Sequence, residues 1–170
     1  MITADLLTHV LVAFSVGVIL SWRFKWISRN YITIIMLGAV LPDLTRIGLI
    51  IEPAYIENTF GVPFSWSPLH TVAGVFIIIL LLTLVVHERY SKPVFILLVL
   101  GAFTHLFMDS FLLTTTGTSY TVFFPITFYN PPTPGFYLST DMWPSMVSAL
   151  AASAIWSIDN TSIIKEKLFK

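Results

Sequence analysis

Five stretches of mostly apolar residues run through this chain, roughly from Asp5 to Trp22, Tyr31 to Ile51, Pro68 to His87, Pro93 to Leu113 and Asp141 to Ile158. A helix needs about 20 such residues to cross the roughly 30 Å hydrocarbon core of a bilayer. The expected fold is therefore all-α: a polytopic bundle of about five transmembrane helices, forming a single domain over residues 1–170 and lodged in the cell membrane. Composition agrees, since 56% hydrophobic and 11% charged residues, with a mean hydropathy of +0.85, lie outside the range of a soluble domain. A formal net charge of zero argues against nucleic acid as a partner. The absence of cysteine removes disulfides and thiolate chemistry. The start, "MITADLLTHV", lacks the basic region of a cleaved signal peptide and leads to Arg23, Lys25 and Arg29, so it reads as a retained first span.

The segments between the spans differ sharply in charge. "RFKWISRN", "HERYSK" and the tail "SIIKEKLFK" hold eight of the nine Lys and Arg residues, while 52–67 and 114–140 hold none. Under the positive-inside rule the basic segments are cytoplasmic, which puts the N-terminus outside and the C-terminus inside. Trp22, Trp26 and Trp156 then fall at inner span ends and Trp66 and Trp143 at outer ones, where indole rings favour the headgroup level. In the tail of 159–170, Ile163, Ile164, Leu168 and Phe169 would face the membrane from a short interfacial helix, with Lys165 and Lys167 opposite. The external segment 114–140 carries Pro131, Pro132 and Pro134 among aromatics such as Phe123, Phe124, Phe128, Tyr129, Phe136 and Tyr137. So aromatic a loop is expected to be ordered, as a cover at the outer membrane surface.

The remaining ionisable residues gather at one depth. In "GAFTHLFMDSF", residues 101–111, the four-residue spacing puts His105 and Asp109 on one helix face, about 6 Å apart along the axis. Asp5 and His9 repeat the spacing in reverse near the outer end of the first span. Asp43 lies in the outer half of the second, and His70 near the outer start of the third. The inner halves of the spans are uncharged. An Asp near a span centre costs about 2.5–3.5 kcal/mol and needs a partner. Carboxylates and neutral imidazoles together make a ligand set for a divalent cation, which neutralises the carboxylates. With no cysteine, zinc leads, with manganese or iron as alternatives.

Each residue also has a plainer role open to it. His105 and Asp109 can staple two helices by a hydrogen bond. Asp43 can pair with Arg46, three residues on, which is the one basic residue outside the cytoplasmic segments and is otherwise suited to clamp an anionic group. His9 and His70 can be merely interfacial, Asp5 a solvated residue or a partner holding His9, and His87 a surface residue at the inner boundary. Pro42 is expected to kink the second span, opening a half-helix at Asp43 whose positive end favours an anion.

Taken in order, "TH" at 8–9, "GAVLPDLTR" at 38–46, "SPLHT" at 67–71, "GAFTHLFMDSF", "TTTG" at 114–117 and "FFPIT" at 123–127 resemble the membrane-bound metal-dependent hydrolases of the YdjM type. The resemblance implies a multi-pass hydrolase in which His9, Asp43, His70, His105 and Asp109 bind metal. This chain departs from the pattern where many members carry a second Asp, here Thr45, and an upstream His-Arg pair, here Ser65 and Trp66. Fewer ligands favour a single metal, or a site without activity.

The leading expectation is a metal-dependent hydrolase at the outer face. His9, His70, His105 and Asp109 would be ligands, Asp43 a ligand or general base, and Arg46 a phosphate clamp. An amphiphilic substrate such as a membrane lipid or polyprenyl phosphoester suits a site below the membrane surface. An ion or proton transporter is the second class, which an oligomer could build from Ser15, Thr33, Thr83 and Ser148. The third is a non-catalytic scaffold held by a structural metal or polar pairs. Substrate, metal number and oligomeric state are not encoded in any motif.

Overall fold

The computed structural model describes residues 4–119 and 121–168, with side chains described for 5–119 and 121–161. The described residues are all-helical, joined by turns and loops. Helix α1 runs Ala4–Arg23 and α2 Arg29–Gly38. A 3-10 segment, Leu41–Leu49, follows α2 at a bend of 48°. Then come α3, Pro53–Phe60, a 3-10 turn at Ser67–His70, α4 at Val72–Val85, α5 at Glu88–Asp109 and α6 at Trp143–Leu168.

Each of the five expected stretches contains helix, the first throughout and the others in part. Two helices, Asp5–Arg23 and Glu88–Asp109, are long and apolar enough to cross a membrane, or three spans if α2 and its bent continuation count as one. The second stretch breaks where Pro42, lacking an N–H, cannot bond back to Gly38. Asp43 N–H instead donates to the Val40 carbonyl at 3.1 Å, and the chain tightens into 3-10 geometry rather than the kinked α-helix expected. In the third, Thr71 is extended and its hydroxyl oxygen caps Gly74 N–H at 3.1 Å. Helix α4 therefore begins after His70 and, with 14 residues, reaches about 21 Å.

Two further features depart from the expected outline. Helix α3 was not anticipated in the 52–67 loop, although Pro53 at its first turn and left-handed Gly61 at its end, φ 68°, are start and stop signals. Helix α6 runs unbroken from Trp143 to Leu168, so backbone helix continues through the tail. The Ile163, Ile164, Leu168 face against Lys165 and Lys167 involves side chains outside those described, and Phe169 lies outside the described residues altogether.

In lipid there is no hydrophobic drive between helices, so close packing of small residues holds them together. Ala13, Gly17, Gly38, Ala39 and Gly101 are buried at the contacts of α1, α2 and α5, and Ala102 is buried in a cluster with Val75 and Ile79 of α4. Helices α2 and α5 cross with their backbones in close approach. A Cβ on Gly38 would run into the Leu98 carbonyl, and one on Gly101 into the Ile35 carbonyl. Helix α6 packs on α1, joined by a 2.9 Å hydrogen bond between the Thr8 and Ser145 hydroxyls.

Segment 114–140 folds back over the helix ends. Leu113 N–H bonds the Tyr137 carbonyl at 2.6 Å, Ser119 N–H the Pro131 carbonyl at 2.7 Å, and Val72 N–H the Val122 carbonyl at 2.8 Å. Tyr137 is buried, and its hydroxyl donates to the Met108 carbonyl at 2.9 Å. Burial, then the Asp5 and Asp109 charges, raise its phenol above the ordinary value, so it stays a neutral donor closing the end of α5.

Candidate metal centre

Because Gly38 and Gly101 let α2 and α5 touch, His105, one turn beyond Gly101, is pressed against the break that follows α2. Its Nδ1–H donates to the Ala39 carbonyl at 2.6 Å. That carbonyl is free because Asp43, its partner in a regular helix, has turned to Val40. The Pro42 carbonyl, in the 3-10 segment that follows, takes the Nδ1–H of His70 at 2.9 Å. Both rings are thus fixed in orientation, with Nε2 left to face inward.

The inward nitrogens converge on Asp109. His70 Nε2 lies 2.6 Å from its Oδ2, His105 Nε2 3.3 Å from the same oxygen, and His9 Nε2 3.2 Å from Oδ1. His9 comes from α1, stacks on His105 with ring centroids 3.8 Å apart, and also meets Asp5 Oδ1 at 3.1 Å. His9 and His105 are 0% and 1% exposed. Asp43 joins from the 3-10 segment, its ligand atom within 4.8 Å of those of His70 and His105; the same spacing holds among His9, His105 and Asp109. Four separate elements supply one cluster, and the residues singled out by spacing and depth are brought together.

A divalent cation fits these residues on two grounds. Among the described residues, the buried side-chain atoms without a hydrogen-bond partner include Asp5 Oδ1, both ring nitrogens of His9, Asp43 Oδ2 and Asp109 Oδ1. His9 Nε2 lies at ion-pair distance from Asp5 Oδ1 and Asp109 Oδ1, and Asp43 Oδ2 from Arg46. Histidines that donate one N–H to a backbone carbonyl and present the other nitrogen are also the usual arrangement around a bound metal.

Above the cluster opens a chamber of about 980 Å³. Asp5, Asp43, His70 and Asp109 lie at its floor, and Arg46 is in its wall. Arg46 Nη2 pairs with Asp43 Oδ2 at 3.0 Å, so the plainer reading of that pair holds, while both side chains still reach the chamber. Thr45, Ser65 and Trp66, the three departures from the family pattern, line it too. Asp5 acts as the partner holding His9. His87 is exposed and lies away from the site, its Nδ1 accepting from Arg89 N–H at 3.3 Å at the start of α5.

Sequence reasoning missed the two carbonyls that orient the histidines and the hydroxyl wall built by Thr114, Thr115, Thr116, Thr118 and Ser119. The run "TTTGTS" was the available signal for the wall. No curated protein and no solved structure matches the chain. Residues 4–168 match the family model of the YdjM inner membrane protein, extending the likeness of residues 8–127 through the last helix, and the chain belongs to that family.

Proposed function

We propose that the protein is a membrane-embedded, metal-dependent hydrolase with its site in the outer half of the bilayer, acting on the phosphoester of an amphiphile. The observation that carries this reading is the convergence of three Nε2 atoms on Asp109 at the floor of a polar chamber. His9, His70, His105 and Asp109 would hold the ion, with Asp43 beside them. Zinc in such a set supplies Lewis acidity and hydroxide near neutral pH. Asp43 is positioned to accept a proton in the chamber, and Arg46 to hold a phosphoryl oxygen.

The proposed topology has five spans, with the N-terminus outside. Its support is the confinement of eight of nine basic residues to three segments, with half-exposed Trp22 and Trp143 at helix ends and half-exposed Trp26 in the turn after α1. The uncharged inner halves favour hydrolysis over transport. Ser15 and Thr83, two of the candidate pore residues, donate their hydroxyls to Leu11 and Leu80 within their own helices.

Elemental analysis and turnover of a phosphodiester in reconstituted vesicles test the reading. The parent should carry stoichiometric metal and turn over; His105→Ala and Asp109→Ala should lose both, and His87→Ala neither. Equal activity in all of them would falsify the assignment. A scaffold role draws support from the Asp43–Arg46 pair and from the departures from the family pattern at Thr45, Ser65 and Trp66. It predicts that chelation unfolds the protein and that no phosphodiester is ever consumed.

A further inference from the structure

A second cavity, of about 230 Å³, adjoins the chamber and shares His70, Asp109 and Ser119 with it. Its character is opposite. One wall is a face of α5 made by Phe103, Leu106, Phe107 and Ser110, spaced i, i+3, i+4 and i+7; the other is Val122, Phe123, Pro131 and Pro132 from the covering segment. From Asp109 to Phe103 it descends about 9 Å along α5, toward the middle of the proposed bilayer. Phe103 and Phe107 are 64% and 53% exposed on that side, so the groove opens laterally.

A wall that meets hydrocarbon must leave no backbone group unsatisfied. The irregular wall meets this requirement in part. Pro131 and Pro132 have no N–H. The carbonyls of Val122 and Pro131 accept from Val72 and Ser119, and Thr133 N–H donates to Gly117 at 3.0 Å. A neighbouring helix, about 10–12 Å across with its side chains, is too wide for so small a groove.

We infer that the groove holds one hydrocarbon chain of a membrane amphiphile whose polar head occupies the chamber. Binding stands on the continuity of the two cavities; only the fate of the head rests on the hydrolase reading. Among the described residues of the chamber wall the one Lys or Arg is Arg46, paired with Asp43, amid hydroxyls such as Thr114, Thr116 and Thr118, which suits a head with a single phosphate and neutral hydroxyl groups.

The chain has no cysteine, so single-cysteine labelling needs no prior substitutions. Val122→Cys, in the groove, and Leu81→Cys, 59% exposed on α4, would each carry a benzophenone in phosphatidylcholine vesicles containing radiolabelled long-chain phosphatidylglycerol. The 122 probe should capture the labelled lipid saturably, and Leu106→Trp should reduce that capture at least fivefold. The 81 probe should capture it without saturation and regardless of Leu106→Trp. Non-saturable capture at both positions, or crosslinking of 122 to a second copy of the chain, overturns the inference. In parallel, Leu106→Trp should raise the ratio of KM for the long-chain phosphodiester to KM for bis(4-nitrophenyl) phosphate at least tenfold. Should that variant not fold, Val122→Trp, with the probe moved to Phe123→Cys, fills the groove from the other wall. Saturable capture without turnover of either compound leaves the groove standing and removes the hydrolase. Turnover of both with an unchanged ratio and no saturable capture does the reverse.

Discussion

Asp109→Asn isolates what the centre depends on, because the amide keeps the shape of the side chain and removes the charge faced by three imidazole nitrogens at 2.6, 3.2 and 3.3 Å. A ligand at 100 times its Kd stabilises the folded state by about 2.7 kcal/mol. For a chain of this length each kcal/mol moves Tm by about 2–4 °C, so zinc at that excess should raise Tm of the chelator-treated parent by about 5–11 °C. Loss of an outer partner of a metal ligand weakens affinity by about 10–100-fold, and loss of the charged ligand itself belongs at the upper figure. The same zinc concentration then equals the variant's Kd, and stabilisation falls to RT ln 2, about 0.4 kcal/mol or about 1–2 °C. Intrinsic fluorescence of the five tryptophans during heating in detergent reads both shifts. Equal shifts in parent and Asp109→Asn would refute the assignment of Asp109 as the carboxylate the ion depends on, whatever the activity of either protein.

Gly101→Ala should force α2 and α5 apart, destabilising by about 1–3 kcal/mol and, through loss of the His105–Ala39 bond, weakening zinc binding about 10–100-fold by titration. His87→Ala removes only a helix cap, so denaturation should show a loss of about 0.5–2 kcal/mol while metal content stays at the parent value. For the topology, a membrane-impermeant maleimide applied to intact cells should label Thr116→Cys but not Lys92→Cys, and the reverse pattern would invert the proposed orientation.

How far the sequence disclosed this centre depends on the kind of information each residue carries. His105 and Asp109 were legible because four residues return a helix to the same face, and His9 and Asp43 because an ionisable group in an apolar span needs company. His70 was legible by depth, though it sits on a turn rather than in its helix. The backbone carbonyls of Ala39 and Pro42 were not, since their availability follows from where a helix breaks and not from their side chains. The threonine wall is of the same kind, acquiring its place only when Leu113 pairs with Tyr137 and returns the segment over the site. Polarity begins at Asp159, after the expected span, while the helix of α6 goes on without a break into the tail. There, Asp159 takes hydrogen bonds from Trp22 and Arg29, and Asn160 another from Arg29, so polar residues extend the bundle contact instead of ending it.

Whether the cluster is a staple or a seat for a cation can be reasoned from its hydrogen-bond arithmetic. A staple satisfies itself when each buried donor meets an acceptor, as Thr8 and Ser145 do between α1 and α6. Here, once His70 and His105 have donated Nδ1–H to carbonyls, neutral rings present lone pairs to a carboxylate that also offers only lone pairs. The contacts of His70 at 2.6 Å and His105 at 3.3 Å are then repulsive unless something positive lies among them. Protonating three imidazoles around one Asp109, with His9 and His105 nearly parallel at 3.8 Å, would crowd like charges where solvent cannot screen them. A single divalent ion shared by the same nitrogens and carboxylates removes the conflict, and Asp5 or Asp43 can then settle the remaining charge. For that reason the centre is expected to bind metal whether or not the departures at Thr45, Ser65 and Trp66 leave it able to turn over a substrate, and metal content, measured apart from turnover, separates those two properties.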